Sequence, residues 1–133
     1  MEKTYLNIAQ AYLGESQARN RYTFYASVAR KEGYEQIAGI FEETAAQERE
    51  HASNLFKWLV ELKQKPENAG ELKLDGVSVP NVRGTTAENL AAAIAGELHE
   101  SNSMYPEFAD IAQGEGYIEY AARMRAIARA EDG

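Results

Sequence analysis

No cysteine occurs anywhere in the 133 residues. Disulfides, thiolate zinc sites and cysteine-held iron are therefore excluded from this chain. Proline is scarce, with three in all, and two of those fall in one stretch, 64–85. Long apolar runs are missing too. The longest, around Leu90 to Ala95, is far short of the ~20 residues that cross a bilayer. The opening MEKTYLNIAQ is amphipathic and has no signal-type segment, so a cytoplasmic location is expected. Cations are in deficit: 14 Lys and Arg stand against 21 Asp and Glu, a net charge of −7. That balance argues against nucleic acid and anionic membranes as partners, and leaves cations or a basic protein.

What remains is helical periodicity. Apolar residues at steps of three and four predict a helix from about Thr4 to Arg30 and a second from about Tyr34 to Lys63, broken at Lys31-Glu32-Gly33. Residues 64–85 read as a long irregular crossover, with Val77-Ser78-Val79 briefly extended. Thr85-Thr86-Ala87-Glu88 has the form of a capping box opening a third helix, which reaches about Ala112 with a kink at Pro106. Gly114-Glu115-Gly116 ends it, and a fourth helix starts near Tyr117. The expectation is an all-α fold, a four-helix bundle of two hairpins in a single domain over 1–133 (hairpin 4–63, crossover 64–85, hairpin 86–133).

The two hairpins repeat each other. Gly33-Tyr34 matches Gly116-Tyr117 at an offset of 83, as do Tyr22 with Tyr105 and Glu48 with Glu131, whereas Gly14-Glu15 matches Gly96-Glu97 at 82. One residue has been gained between Glu97 and Tyr105, and a helix usually absorbs such an insertion as a π-bulge, often beside a functional site. By the same repeat, His51 has its counterpart at position 134, and the fourth helix reads as cut short.

Each predicted inward stripe carries acid. The first is Tyr5, Ile8, Tyr12, Glu15, Ala18, Tyr22, Ala26. The second runs Tyr34, Ile37, Phe41, Ala45, Glu48, His51, Leu55, Leu59. Leu90, Ile94, Glu97, Glu100, Met104, Phe108 and Ile111 form the third, and Tyr117, Tyr120, Met124, Ile127 and Glu131 the fourth. Counted from the hairpin turns, the members of each acid pair fall within one helical turn, ~5 Å, of a common level. His99 falls off its stripe and is not expected to ligate.

A lone helical glutamate is usually a solvated charge, and this chain has 18 glutamates. Four of them at one level of one core are different. Uncompensated burial costs several kcal/mol per ion, against a total stability of ~5–15 kcal/mol. No Lys or Arg lies on the stripes at that level, although Arg19 flanks it. Metal is the economical answer, and Glu with His but no thiolate suits iron or manganese, with zinc tolerated. Four glutamates balance two divalent ions. Glu100 is then surplus until the pair carries +6, which points to redox chemistry.

GESQARNRY at 14–22, ETAAQEREHA at 43–52, GELHESNSMYPEFA at 96–109 and GEGYIEYA at 114–121 resemble the rubrerythrins, a ferritin-like di-iron family. The resemblance covers essentially the whole chain and implies a ferritin-like bundle holding two iron ions. It implies Glu48 and Glu131 as bridging ligands, Glu15 and Glu97 on the two irons, and His51 exchanging with Glu100 as one iron moves on oxidation. Tyr22 and Tyr105 would orient the ligating carboxylates. The implied activity is an NAD(P)H-linked peroxidase that reduces hydrogen peroxide to water; ferroxidase or iron storage, or an inactive truncated bundle, are the alternatives. Electrons would come from a separate protein such as rubredoxin. The implied assembly is a homodimer, with or without a swapped hairpin.

Overall fold

The computed structural model describes the chain from Met1 to Asp132, with side chains as far as Ala130. Five α-helices account for most of it: α1 (Lys3–Lys31), α2 (Glu35–Lys63), α3 (Thr86–His99), α4 (Tyr105–Gly114) and α5 (Ile118–Asp132). A π-helical turn, Glu100–Met104, joins α3 to α4 in one continuous rod, so the arrangement is the expected four-rod, two-hairpin bundle. The π turn lies inside the window set by the repeat, and the Tyr105 N–H reaches back five residues to the Glu100 carbonyl. Pro106, with no N–H to give, follows at once; the register change sits before it.

Both hairpin turns close in the same way. Gly33 and Gly116 adopt φ of 87° and 91°, a left-handed conformation that glycine enters without a Cβ penalty. Tyr34 N–H then bonds Ala29 O and Gly33 N–H bonds Arg30 O; Tyr117 and Gly116 repeat this on Ala112 and Gln113. These are paired Schellman motifs, satisfying the last carbonyls of each helix.

The turns also clasp the opposite hairpin. Glu32 accepts the Thr86 N–H and hydroxyl, both at 2.8 Å, at the start of α3. Glu115 accepts the Thr4 N–H at 2.6 Å and its hydroxyl at 2.5 Å, at the start of α1. A carboxylate at a helix N-terminus satisfies free amides and meets the positive end of the dipole. The capping box at Thr85 and Glu88 forms as expected. Through the crossover, Asn68 is fully buried, accepting from Glu2 N–H and donating to Leu62 O. Tyr25 anchors its far end by donating to Val82 O. Among the described residues no strand forms, and Val77 and Val79 are exposed and outside any helix.

The core is in two parts. One contains Ile8, Leu55, Trp58, Tyr105, Phe108 and Met124. The other contains Ala18, Tyr22, Tyr25, Phe41 and Ala45, with Leu90 packed on it. Along α1 and α2 the break between them falls at Glu15 and Glu48–His51. Among the described stripe residues two are exposed. Tyr34 sits in the turn and is 52% exposed; Ile94 is 58% exposed because α5 lies against α4 and the π turn, leaving that side of α3 uncovered. Among the described residues no helix is long and apolar enough to cross a membrane.

Candidate metal centre

The gap in the core is filled by acid. Glu15 on α1 is wholly buried and Glu48 on α2 is 2% exposed. Glu97 on α3 and Glu100 on the π turn are half-buried, as is His51 on α2. Their ligand atoms form two triads, Glu15–Glu48–His51 and Glu48–Glu97–Glu100, each with all atoms within 4.8 Å of one another. Glu48 belongs to both. Five of the six expected ligands thus converge from both hairpins; the side chain of the sixth, Glu131, lies outside the described residues. His99 is exposed and belongs to neither triad, as expected.

Two tyrosines tie the hairpins together across this layer. Tyr22 of α1 donates to Glu97 Oε1 at 2.6 Å, and Tyr105 of α4 donates to Glu15 Oε1 at 2.5 Å. The bonds are mates under the internal repeat, each hairpin's tyrosine holding the other hairpin's glutamate. Among the described residues Glu15 Oε2 and Glu48 Oε2 are buried and take no hydrogen bond. Ionised carboxylate oxygens can only accept, so atoms left in this state call for a cation. His51 Nδ1 faces Glu15 Oε2 at 3.7 Å.

Electrostatics agrees. The Glu15 carboxylate that His51 faces raises the imidazole pKa above its usual range. Burial raises that of Glu97 despite the Tyr22 hydrogen bond, with Glu15 adding like-charge repulsion. Burial and the Glu97 charge push the Tyr22 phenol far up, so it remains a donor. Protonation is thus favoured at His51 and Glu97, two groups from which a metal would displace the proton.

The rubrerythrin family model matches residues 7–133. The chain is 50% identical over 129 residues to rubrerythrin of Porphyromonas gingivalis and 46% identical over 130 residues to that of Nitratidesulfovibrio vulgaris. These matches take in 97% and 98% of this chain, and 60% and 64% of those proteins. The chain belongs to the rubrerythrin family. Its fold matches a solved structure of nigerythrin in the fully reduced, all-ferrous state, with a TM-score of 0.75 and 32% identity over 98% of this chain and 60% of that one. The family and the acid layer agree on a cluster able to bind metal.

One feature of the site was missed in the sequence. Arg19, the cation that flanks the acid level in the sequence, is exposed on the outer surface. Arg21 is the cation coupled to the site, opposing the upward shift of both Glu97 and Tyr22. Its position one residue before a stripe tyrosine was the available signal. Arg21 also lines a cleft of about 400 Å³ between α1, α3 and the crossover, with Gly14, Gly96, His99 and Glu100. Gly14 and Gly96 directly precede ligand glutamates, and a Cβ on either would meet nothing within 4 Å. Glu100 borders this cleft between the two glycine-bearing helices.

Proposed function

We propose that this chain is a non-haem di-iron peroxidase that reduces hydrogen peroxide to water with electrons from a separate redox protein and ultimately from NAD(P)H. The observation that carries the reading is the sharing of Glu48 between two ligand triads. One carboxylate serving two sites bridges an ion pair, where a single structural ion would need one closed set. Carboxylates with imidazole and no thiolate suit iron, manganese or zinc. The all-ferrous nigerythrin neighbour favours iron.

Bound here, the ion pair would supply Lewis acidity and the two electrons that one peroxide consumes. The chain's own residues do the rest. Glu15, His51 and Glu48 would hold one ion, and Glu48, Glu97 and Glu100 the other, with Glu131 as a further ligand. Glu100 and His51 both stand within 4.8 Å of a Glu48 oxygen. An imidazole would suit a reduced ion pair, and the carboxylate of Glu100 would balance the higher charge of an oxidised one. Tyr22 and Tyr105 fix one oxygen of Glu97 and Glu15, leaving the other for metal. Peroxide is small and polar, and the cleft under the crossover admits it beside Glu100.

The test is anaerobic ferrous loading followed by rapid mixing. Two ions per chain and oxidation faster by peroxide than by oxygen are expected. Oxidation as fast or faster by oxygen would make the protein a ferroxidase instead, and fewer than one ion per chain would mark an inactive bundle.

A further inference from the structure

The cleft beside Glu100 is larger than hydrogen peroxide needs. Two water-sized oxygens would take up roughly 60 Å³, on water's ~30 Å³ share of the liquid. The cleft holds about 400 Å³, within the ~300–1,000 Å³ of sites that take small organic molecules. It is also long. Gln10, Leu13, Gln17 and Arg21 line it at steps of three and four along one face of α1, a rise of ~16 Å from first to last. Gly96, His99, Glu100 and Met104 form the facing wall, and crossover residues such as Leu74 and Pro80 form the third side.

Its two ends differ in chemistry. Tyr22 reaches Glu97 and Tyr105 reaches Glu15, so α1 runs antiparallel to the rod of α3, the π turn and α4. Arg21 therefore stands at the Glu97 end and Leu13 toward Met104, with Glu100 between. Leu74 and Met104 both pack, half-buried, on the part of the core that holds Ile8 and Tyr105. Leu13 is half-buried as well, so three apolar side chains keep part of their surface turned to the cleft. A substrate of two oxygens gives such a wall nothing to hold. We propose that the cleft takes organic hydroperoxides, ROOH, with the –OOH group beside Glu100 and the hydrocarbon group R on Leu13, Leu74 and Met104. The O–O bond breaks as it does in hydrogen peroxide: two electrons from the reduced ion pair and two protons from solvent turn ROOH into an alcohol, ROH, and water. The opposite orientation would set hydrocarbon against the Arg21 guanidinium, and nothing in R could repay the lost hydration.

The inference rests on the peroxidase reading, and its test separates the two. Cumene hydroperoxide, beside hydrogen peroxide, is the probe for reaction with the ferrous-loaded chain by rapid mixing. Its alcohol product, 2-phenyl-2-propanol, is the probe for binding to the metal-free chain by amide NMR. Oxidation by cumene hydroperoxide that saturates with concentration is expected, as are alcohol-induced shifts at Leu13, Leu74 and Met104. In the Leu13→Gln/Leu74→Gln variant the ratio of rate constants, cumene hydroperoxide over hydrogen peroxide, should fall about tenfold or more, the scale on which apolar pockets discriminate. The alcohol should bind that variant more weakly by a similar factor. Val60→Gln, at an exposed apolar position outside the cleft, should keep the parent ratio. An unchanged ratio in the double variant would overturn the proposal, and so would an alcohol that shifts none of the three amides. A ferrous chain that reacts with hydrogen peroxide but ignores cumene hydroperoxide would overturn it too, and would leave the peroxidase reading standing. A chain that reacts with neither would sink that reading and the proposal with it.

Discussion

Tyr105 donates a hydrogen bond from its phenol to Glu15 across 90 residues of sequence, at 2.5 Å and fully buried. The bond holds a ligand from the first hairpin with a side chain of the second. Tyr105→Phe removes the donor and leaves a buried carboxylate oxygen unsatisfied, at a cost of ~1–3 kcal/mol. Metal affinity should fall ~10–100-fold, the range for lost partners of ligands. Denaturant unfolding and a competitive metal titration check both numbers. Tyr22→Phe should do the same through Glu97.

Glu48 sets metal binding against stability. With no metal, its buried charge opposes folding, so Glu48→Gln should stabilise the metal-free chain by ~1 kcal/mol or more, a rise of several degrees in Tm. In the presence of ferrous ion the order should reverse, the variant holding fewer than two ions and melting below the loaded parent. Calorimetry of both forms with and without metal gives the four numbers.

Gly96 borders the cleft beside Glu100. A leucine at this position meets no backbone but intrudes on the cleft beside Glu100. Gly96→Leu should keep two ions per chain, gain up to ~1 kcal/mol of helix stability, and react more slowly with peroxide. Unchanged peroxide kinetics would move the entrance elsewhere.

The hairpin clasps carry stability. Glu32→Ala and Glu115→Ala each remove a carboxylate cap from the opposite hairpin's first helix, at ~1 kcal/mol apiece. Amide hydrogen exchange should quicken at Thr86 in the first variant and at Thr4 in the second.

Most of the fold can be read from the chain because its signals are local: a 3.6-residue stripe, a capping box, and glycines placed where turns need positive φ. Even the π turn is legible, through one slipped residue in the repeat. The ligands can be read for the opposite reason, since acid on an apolar stripe violates the pattern. Errors arise where burial depends on what lies opposite. Stepping by three and four places Ile94 inward, but nothing among the described residues covers it. Tyr34 fails because the stripe was extended past the helix into the turn, whereas its counterpart Tyr117 is held by a bond to Glu2 at 2.6 Å. Arg21 escaped because net charge averages over faces, and only the packed helices show which charges share one.

The acid layer lies between the two halves of the apolar interior. Like charges gathered there would leave a fault line at mid-height, and metal bound to them would close it, adding stability that grows with the logarithm of free metal over its dissociation constant. The fold would itself be a gauge of metal supply: when metal runs short, the empty molecules would be the ones that open first and reach proteases first.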